Sequence, residues 1–151
     1  MRFVLFYLLM ACGDKDNRDA LYCTEIGCSD SITISIESAG DSFVEGEYSI
    51  QISGDGAMLH DCQIRMSNDT DECAGEQPCA AETDCDAIYS SSRWTFNIGG
   101  SPDKMTVDVY LDASSVLNAE IEPEYALFQP NGPDCEPTCR VAENESFTLS
   151  N

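Results

Sequence analysis

The feature of this sequence that most restricts its fold is an alternation of apolar and polar residues that recurs along the chain. In the run Ser31-Ile-Thr-Ile-Ser-Ile-Glu37, isoleucine occupies every second position, and hydroxyl or acidic residues lie between. Successive side chains of a strand point to opposite faces, so this period of two predicts a half-buried β-strand. The same period recurs in four more apolar sets: Tyr48, Ile50 and Ile52; Cys62, Ile64 and Met66; Trp94, Phe96 and Ile98; and Met105, Val107, Val109 and Leu111.

Two shorter strands are predicted at residues 125–128 and 146–149, and turn-forming residues separate the strands. Gly54-Asp-Gly56 tolerates positive φ and favours a hairpin, and Gly99-Gly-Ser-Pro-Asp103 predicts another turn. About seven short strands in one domain predict an all-β fold, an antiparallel β-sandwich. Trp94 could be a ligand platform at the rim of such a sandwich, but its place on an alternating apolar face favours the core.

The N-terminus has the order of features found in a secretory signal. Arg2 precedes an unbroken apolar run over residues 3–10, and the small residue Ala11 stands before Cys12. The run is too short to cross a bilayer, which needs about 20 residues. A first strand or a short buried helix, with Cys12 as one more disulfide partner, is the alternative reading.

Leu9-Met10-Ala11-Cys12 resembles the lipobox of bacterial lipoproteins. In that family the peptide is cut before the cysteine, whose thiol carries a diacylglycerol and whose new amino group is usually acylated. The resemblance implies a signal peptide at residues 1–11 and a lipidated Cys12. The run over residues 13–19 has no apolar residue and mixed charge, which predicts a flexible tether over residues 12–22 before a domain over residues 23–151. Gly13 stands where the inner-membrane retention signal of the family has Asp, which favours the outer membrane.

Two further runs resemble known envelope proteins. Phe43-Val-Glu-Gly-Glu-Tyr-Ser-Ile-Gln-Ile52 is similar to the Gly-x-Tyr entry into a strand in immunoglobulin-like and carboxypeptidase-regulatory-like domains. The cysteine pattern of Cys23-Thr-Glu-Ile-Gly-Cys28 and of residues 129–140 resembles that of cysteine-rich envelope lipoproteins of Gram-negative bacteria. The resemblance implies an immunoglobulin-like sandwich in the cell envelope.

The chain contains nine cysteines, an odd number. If Cys12 carries lipid, the other eight can close up to four disulfides in an oxidising compartment. They fall into two groups, within which we predict the pairs to form: Cys62, Cys73, Cys79 and Cys85; and Cys23, Cys28, Cys135 and Cys139. The second group would join the beginning of the domain to its end. Zinc is not expected, because no Cys-x-x-Cys pair is present and His60 is the only histidine.

The charge is strongly acidic, with 28 acidic residues against 7 basic ones and a net charge of −21. This argues against binding to nucleic acid or to anionic lipid head groups, since their phosphates would be repelled. Solubility beside a membrane is the simplest role for such a charge.

The sequence offers little for catalysis, and we predict no enzyme and no cofactor. His60 beside Asp61 could be part of a catalytic pair, but a Gly-x-Ser-x-Gly nucleophile elbow is absent. A carboxylate-based hydrolase would need a marked pair of acids, and none stands out. Asp69, Asp71 and Glu72 begin like a calcium loop, but Ala74 stands where such a loop has glycine, so they are weak calcium candidates.

The remaining hypothesis is a binding or interaction module, held at the membrane through its N-terminal lipid, with an envelope protein, peptide or glycan as its partner. The alternative is a structural or accessory lipoprotein with no dedicated ligand, and a calcium-dependent adhesion module is a weaker one. Residues 67–86 combine acids and cysteines without an alternating pattern, so we expect any partner to contact this loop. The alternative is a disulfide-stapled, solvated insertion whose carboxylates keep the domain soluble. Asn68-Asp-Thr70 and Asn144-Glu-Ser146 fit the glycosylation acceptor pattern, and we interpret both as turns.

Overall fold

The structure is a computed structural model that describes residues 26–68 and 79–150. These residues form eleven β-strands and no helix. The strands are β1 Ser31–Ser38, β2 Gly46–Gly54, β3 Ala57–Ser67, β4 Cys79–Thr83, β5 Ile88–Tyr89, β6 Arg93–Gly99, β7 Met105–Leu111, β8 Ser114–Ile121, β9 Tyr125–Phe128, β10 Cys139–Ala142 and β11 Glu145–Leu149.

The strands form two sheets that pack as a sandwich. Sheet 1 has the order β5-β6-β1-β10-β9, with β11 also paired to β1, and sheet 2 has the order β4-β3-β2-β7-β8. Neighbouring strands are antiparallel except that β10 and β11 run parallel to β1. The predicted all-β, antiparallel sandwich is therefore confirmed, with a parallel contact between the first strand and the last two.

The predicted number of about seven strands is too low, because the described residues contain eleven. All seven predicted strands are present, and the four that were missed are β4, β5, β8 and β10. Strands β5 and β10 span only two and four residues, too few for a visible period. In β8 the exposed Val116 is an extra residue opposite the Val109–Tyr110 step of β7, so the alternation breaks there.

The core lies between the sheets and consists of the predicted alternating residues. Every one of the apolar side chains named for the five long strands is buried except Leu111, which is half-buried. Phe43, in the loop before β2, joins them. Since the inner face of each strand is fixed by its period, the residues between them must face outward, and these form the two outer faces of the sandwich.

Trp94 belongs to the core, as its position on an alternating face predicted. Its side chain has 0% exposure. The indole stacks on the Phe43 ring with a centroid distance of 3.7 Å, and the Tyr48 ring meets it edge-on at 4.9 Å. Because the indole is fully covered, a ligand platform at Trp94 is excluded.

The hairpin predicted at Gly54-Asp-Gly56 joins β2 to β3. Asp55 and Gly56 have φ values of 50° and 80°, the left-handed conformation of a two-residue turn. The Asp55 carboxylate also accepts hydrogen bonds from the backbone N–H groups of Asp103 and Lys104 at 3.1 and 3.0 Å. One aspartate thus forms its own turn and fixes the predicted turn between β6 and β7.

A second two-residue turn, Asp112-Ala113, joins β7 to β8 and holds an unfavourable residue. Ala113 has a φ of 65°, a region that costs a residue with a Cβ atom about 1 to 2 kcal/mol. We expect Ala113→Gly to raise the free energy of unfolding by about 0.5 to 1 kcal/mol, because relief of this strain exceeds the extra flexibility of glycine in the unfolded chain. Urea unfolding measures the change.

Ala126→Gly is the matched control for the turn substitution. Ala126 is exposed in β9 and lies outside the residues with positive φ. There the same replacement should cost about 0.5 to 1 kcal/mol, since glycine only adds flexibility. A lower urea midpoint for Ala113→Gly would contradict the strain assigned to this turn.

Candidate functional site

Two disulfides are described, and each joins cysteines of one predicted group. Cys28 bonds to Cys139 across 111 residues, which ties the segment before β1 to the start of β10. Cys62 bonds to Cys85 across 23 residues and ties β3 to the segment after β4. The first bond joins the beginning of the domain to its end, as predicted.

The other predicted cysteine sites are only partly within the described residues. Cys135 is disulfide-bonded. Cys79 begins β4. Cys12, Cys23 and Cys73 lie outside the described residues. Lipidation of Cys12 and the remaining pairings therefore stay predictions.

The calcium candidates Asp69, Asp71 and Glu72 also lie outside the described residues. Within the described ranges, one group of potential metal ligands comes together: Cys62, Asp84 and Cys85. Its two sulfur atoms are bonded to each other, and the Asp84 carboxylate accepts the backbone N–H of Gln63 at 2.5 Å. Since all three groups are engaged, this cluster is a structural junction.

The loop expected to meet a partner, residues 67–86, is not structureless throughout. Cys79–Thr83 forms β4, which pairs antiparallel with β3. Residues 69–78 lie outside the described residues. β4 is only five residues long, with too few apolar residues to show a period of two, so the sequence does not predict this strand.

His60 and Asp61 do not form a catalytic pair. They are neighbours in β3, so their side chains point to opposite faces. The His60 ring meets Phe96 of the other sheet edge-on at 5.8 Å, while Asp61 is exposed and accepts from Gln51 Nε2 at 3.4 Å. The histidine is a packing residue at the edge of the core.

Arg140 of β10 is the centre of a polar network at one end of the sandwich. Asp30 accepts the Arg140 backbone N–H at 2.8 Å and the Ser101 hydroxyl at 3.0 Å. These two hydrogen bonds, the first being the stronger influence, hold the pKa of Asp30 below its usual value. The guanidinium lies 4.7 Å from the centre of the Tyr125 ring. Since its charged groups satisfy one another, the network serves to join loops of sheet 1.

The two outer faces of the sandwich differ sharply in charge. The outward positions of sheet 2 include four carboxylates and one arginine: Glu47, Asp61, Asp108, Glu120 and Arg65. A shallow depression of about 280 Å³ on this face is lined by Glu47, Gln63 and Arg65, among others. Such a face is well solvated and would be costly to cover.

Sheet 1 presents a different outer face, which we call the neutral grid. It consists of three outward side chains from each of three adjacent strands: Thr33, Ser35 and Glu37 of β1; Thr95, Asn97 and Arg93 of β6; and Ser146, Thr148 and the preceding Asn144 beside β11. Its two charges neutralise each other, because Arg93 Nη2 lies 2.8 Å from Glu37 Oε1. The grid therefore carries no net charge on a chain with a net charge of −21.

Hydrogen bonds connect the strands across the grid. Thr33 Oγ1 donates to Asn97 Oδ1, and Ser35 Oγ donates to Asn144 Oδ1, each at 3.2 Å. Ser146 Oγ donates to Glu37 Oε1 at 3.3 Å. Ser35 has 2% exposure and is buried beneath its neighbours, so its hydroxyl holds the Asn144 amide from the core side.

Sequence reasoning missed the neutral grid. The alternation in β1 and β6 shows that Thr33, Ser35, Thr95 and Asn97 point away from the core. It does not show that β6, β1 and β11 are neighbours, because strand order depends on contacts between residues far apart in the chain. The sequence pattern predicts a turn at Asn144, which does lie between β10 and β11, but its amide also belongs to the grid.

Comparison with protein-family models, with curated proteins and with solved structures finds no match for this chain. The described residues contain no helix that is long and apolar enough to cross a membrane.

Proposed function

We propose that this protein is a lipid-anchored binding module of the bacterial cell envelope and that the neutral grid is its binding face. The lipobox-like residues at positions 9–12 support the anchor, and the two disulfides are consistent with an oxidising compartment. The observation that carries the binding role is the absence of net charge on the neutral grid of a strongly acidic molecule.

The physical reason is the cost of removing water from charges. Buried centres of protein interfaces are depleted in charged residues, because an unpaired charge loses its hydration when it is covered. Covering the outer face of sheet 2 would strip water from Glu47, Asp61 and Asp108 and from the Lys104–Glu120 ion pair. Covering the grid strips water from one ion pair that is already closed. The grid is the face of the described sandwich that can be covered at the lower cost.

The grid is also held rigid. β1 lies in the middle of sheet 1 with β6 on one side and β10 and β11 on the other. Its inward isoleucines are fully buried, and the Cys28–Cys139 bond ties β10 to the segment before β1. A face that is ordered before binding loses less conformational entropy on association than a flexible loop does.

A photo-crosslinking amino acid at Thr95 in the neutral grid tests the proposal in intact envelopes. We expect Thr95 to form a covalent adduct with one envelope component, since the grid is the covered face. Ser49 is the matched control, because it lies outward on β2 at the centre of sheet 2 and is also half-exposed. Gels and mass spectrometry of the crosslinked peptide report the adduct.

The anchor is tested in the same cells with Cys12→Ser. This variant should leave the membrane fraction, because it cannot receive the acyl chains that hold the wild type. An adduct at Ser49 alone, or at neither position, would overturn the binding face. Retention of Cys12→Ser in the membrane at the wild-type level would overturn the lipid anchor.

A further inference from the structure

The neutral grid has more hydrogen-bond donors than its own contacts use. In both asparagines the amide oxygen is occupied by a hydroxyl of β1, which turns each Nδ2 group away from that contact. Within the described residues, Asn97 Nδ2 and Asn144 Nδ2 donate to no protein group, and both side chains are exposed. Each Nδ2 carries two N–H donors, so these two amides alone present up to four.

The hydroxyl groups of Thr95 and Thr148 add to this set. Thr95 lies outward on β6 directly beside Ser35, and Thr148 lies outward on β11 directly beside Glu37. In the part of the chain that the structure describes, neither hydroxyl is engaged with another protein group. A hydroxyl can donate and accept, so it suits ligand hydroxyl groups, which do the same.

The negative charge of the chain restricts the class of oxygen-rich ligand that these donors can bind. A carboxylate or phosphate would be repelled by a chain of net charge −21. Arg93, the cation of the grid, is already paired with Glu37 at 2.8 Å. A ligand rich in oxygen acceptors but without charge meets the donors and avoids the repulsion.

Size favours a small ligand over a protein that contacts the grid alone. Three neighbouring strands about 4.8 Å apart span roughly 10 Å between the outer two, and three outward residues along a strand span roughly 13 Å. That is an area of the order of 10² Å², far below the ~800 Å² per partner of a stable protein interface. A few linked sugar rings suit an area of this size.

Ile88 supplies an apolar contact at one border of the grid. It lies in β5 directly beside Thr95 and is 68% exposed. An apolar side chain next to a row of donors can cover the C–H face of a sugar ring while the donors bind its hydroxyl groups. The aromatic residue nearest in the core, Trp94, is buried and takes no part.

We propose that the neutral grid binds an uncharged oligosaccharide segment, with the Nδ2 groups of Asn97 and Asn144 and the Thr95 hydroxyl as donors and Ile88 as the apolar contact. This inference rests on the proposed function and names the class of ligand for the same face. It requires no metal ion and no part of the loop over residues 69–78.

The test uses the full chain in detergent and a panel of linear trisaccharides of glucose, galactose and N-acetylglucosamine, with a uronic acid trimer as the charged counterpart. Isothermal titration and ligand-observed NMR report binding. We expect at least one neutral trisaccharide to bind and the uronic acid trimer not to bind. Asn97→Asp and Asn144→Asp should each weaken binding by about tenfold or more, because each removes an N–H donor and adds a negative charge.

Gln63→Glu is the matched control for these substitutions. It also converts an amide to a carboxylate at constant size and adds one charge, but it lies outward on β3 of sheet 2. It should leave trisaccharide affinity unchanged. Equal losses for Gln63→Glu and Asn97→Asp would show a general charge effect and overturn the assigned site.

Failure of the ligand class is distinguishable from failure of the binding face. If no neutral trisaccharide binds but Thr95 crosslinks to a polypeptide, the carbohydrate inference is wrong and the grid remains a binding face for a protein. If the uronic acid trimer binds best, the charge argument is wrong. If no trisaccharide binds and Thr95 forms no adduct, both proposals fall.

Discussion

Replacing Cys28, Cys135 and Cys139 together by alanine should lower the free energy of unfolding by at least about 4 to 5 kcal/mol. Cys135 is included because it is also disulfide-bonded, and a bond to its predicted partner Cys23 would keep the two ends of the domain joined. The Cys28–Cys139 bond closes a loop across 111 residues. In the chain-entropy model, a loop of this length restricts the unfolded chain by about 4.7 kcal/mol. The loss is serious for a small domain, because total stabilities are only about 5 to 15 kcal/mol and the acidic side chains repel one another.

The second disulfide provides the comparison. Replacing Cys62 and Cys85 by alanine opens a loop across 23 residues, for which the same model gives about 3 kcal/mol. Urea unfolding of the triple variant and the double variant under one set of conditions measures the difference. A smaller loss for the long loop than for the short one would show that local packing, and not chain entropy, sets the contribution of the Cys28–Cys139 bond.

Trp94→Ala should destabilise the domain by about 3 to 5 kcal/mol. The side chain is fully buried, and its removal leaves a cavity next to the stacked ring of Phe43. Deletions of this kind cost the transfer free energy of the lost atoms plus the cavity term. Thermal and urea unfolding report the loss, and the population of folded protein should fall visibly at physiological temperature.

Two further substitutions test whether the loss of stability in Trp94→Ala comes from loss of the buried ring. Trp94→Phe should cost much less, since a ring remains to stack on Phe43 and the buried indole N–H, which has no hydrogen-bond partner in the structure, is removed. Tyr110→Ala, on the outer face of β7, should cost under about 1 kcal/mol because the ring is only half-buried. A loss for Trp94→Ala no larger than that for Tyr110→Ala would contradict a packed aromatic core.

The central strand links stability to the proposed binding face. β1 places Ile32, Ile34 and Ile36 in the core. The same strand orients Thr33 and Ser35 outward, where they form part of the neutral grid. Packing of the isoleucines therefore fixes the positions of the hydroxyls that hold the two asparagine amides. A grid built on a central strand keeps its spacing without a ligand, which suits a binding face of small area.

The sequence by itself determined the class of fold and the inward face of each long strand. The period of two in Ser31–Ser38 and Arg93–Gly99 is a local property, since every strand alternates its side chains whatever its neighbours are. The turn at Asp55-Gly56 was equally predictable, because positive φ is required there and glycine supplies it. Short or edge strands such as β5 and β8 were missed, because too few buried residues or a bulge leaves no regular period.

Tertiary structure alone decided which strands are neighbours. Glu145–Leu149 pairs in parallel with β1, more than a hundred residues earlier in the chain, although no local pattern distinguishes it from a strand of sheet 2. The pairing depends on burying Leu149 and Phe147 beside β1 and on the Cys28–Cys139 bond, which are contacts between distant residues. For that reason the neutral grid, whose side chains come from three separate parts of the chain, exists only in the folded protein.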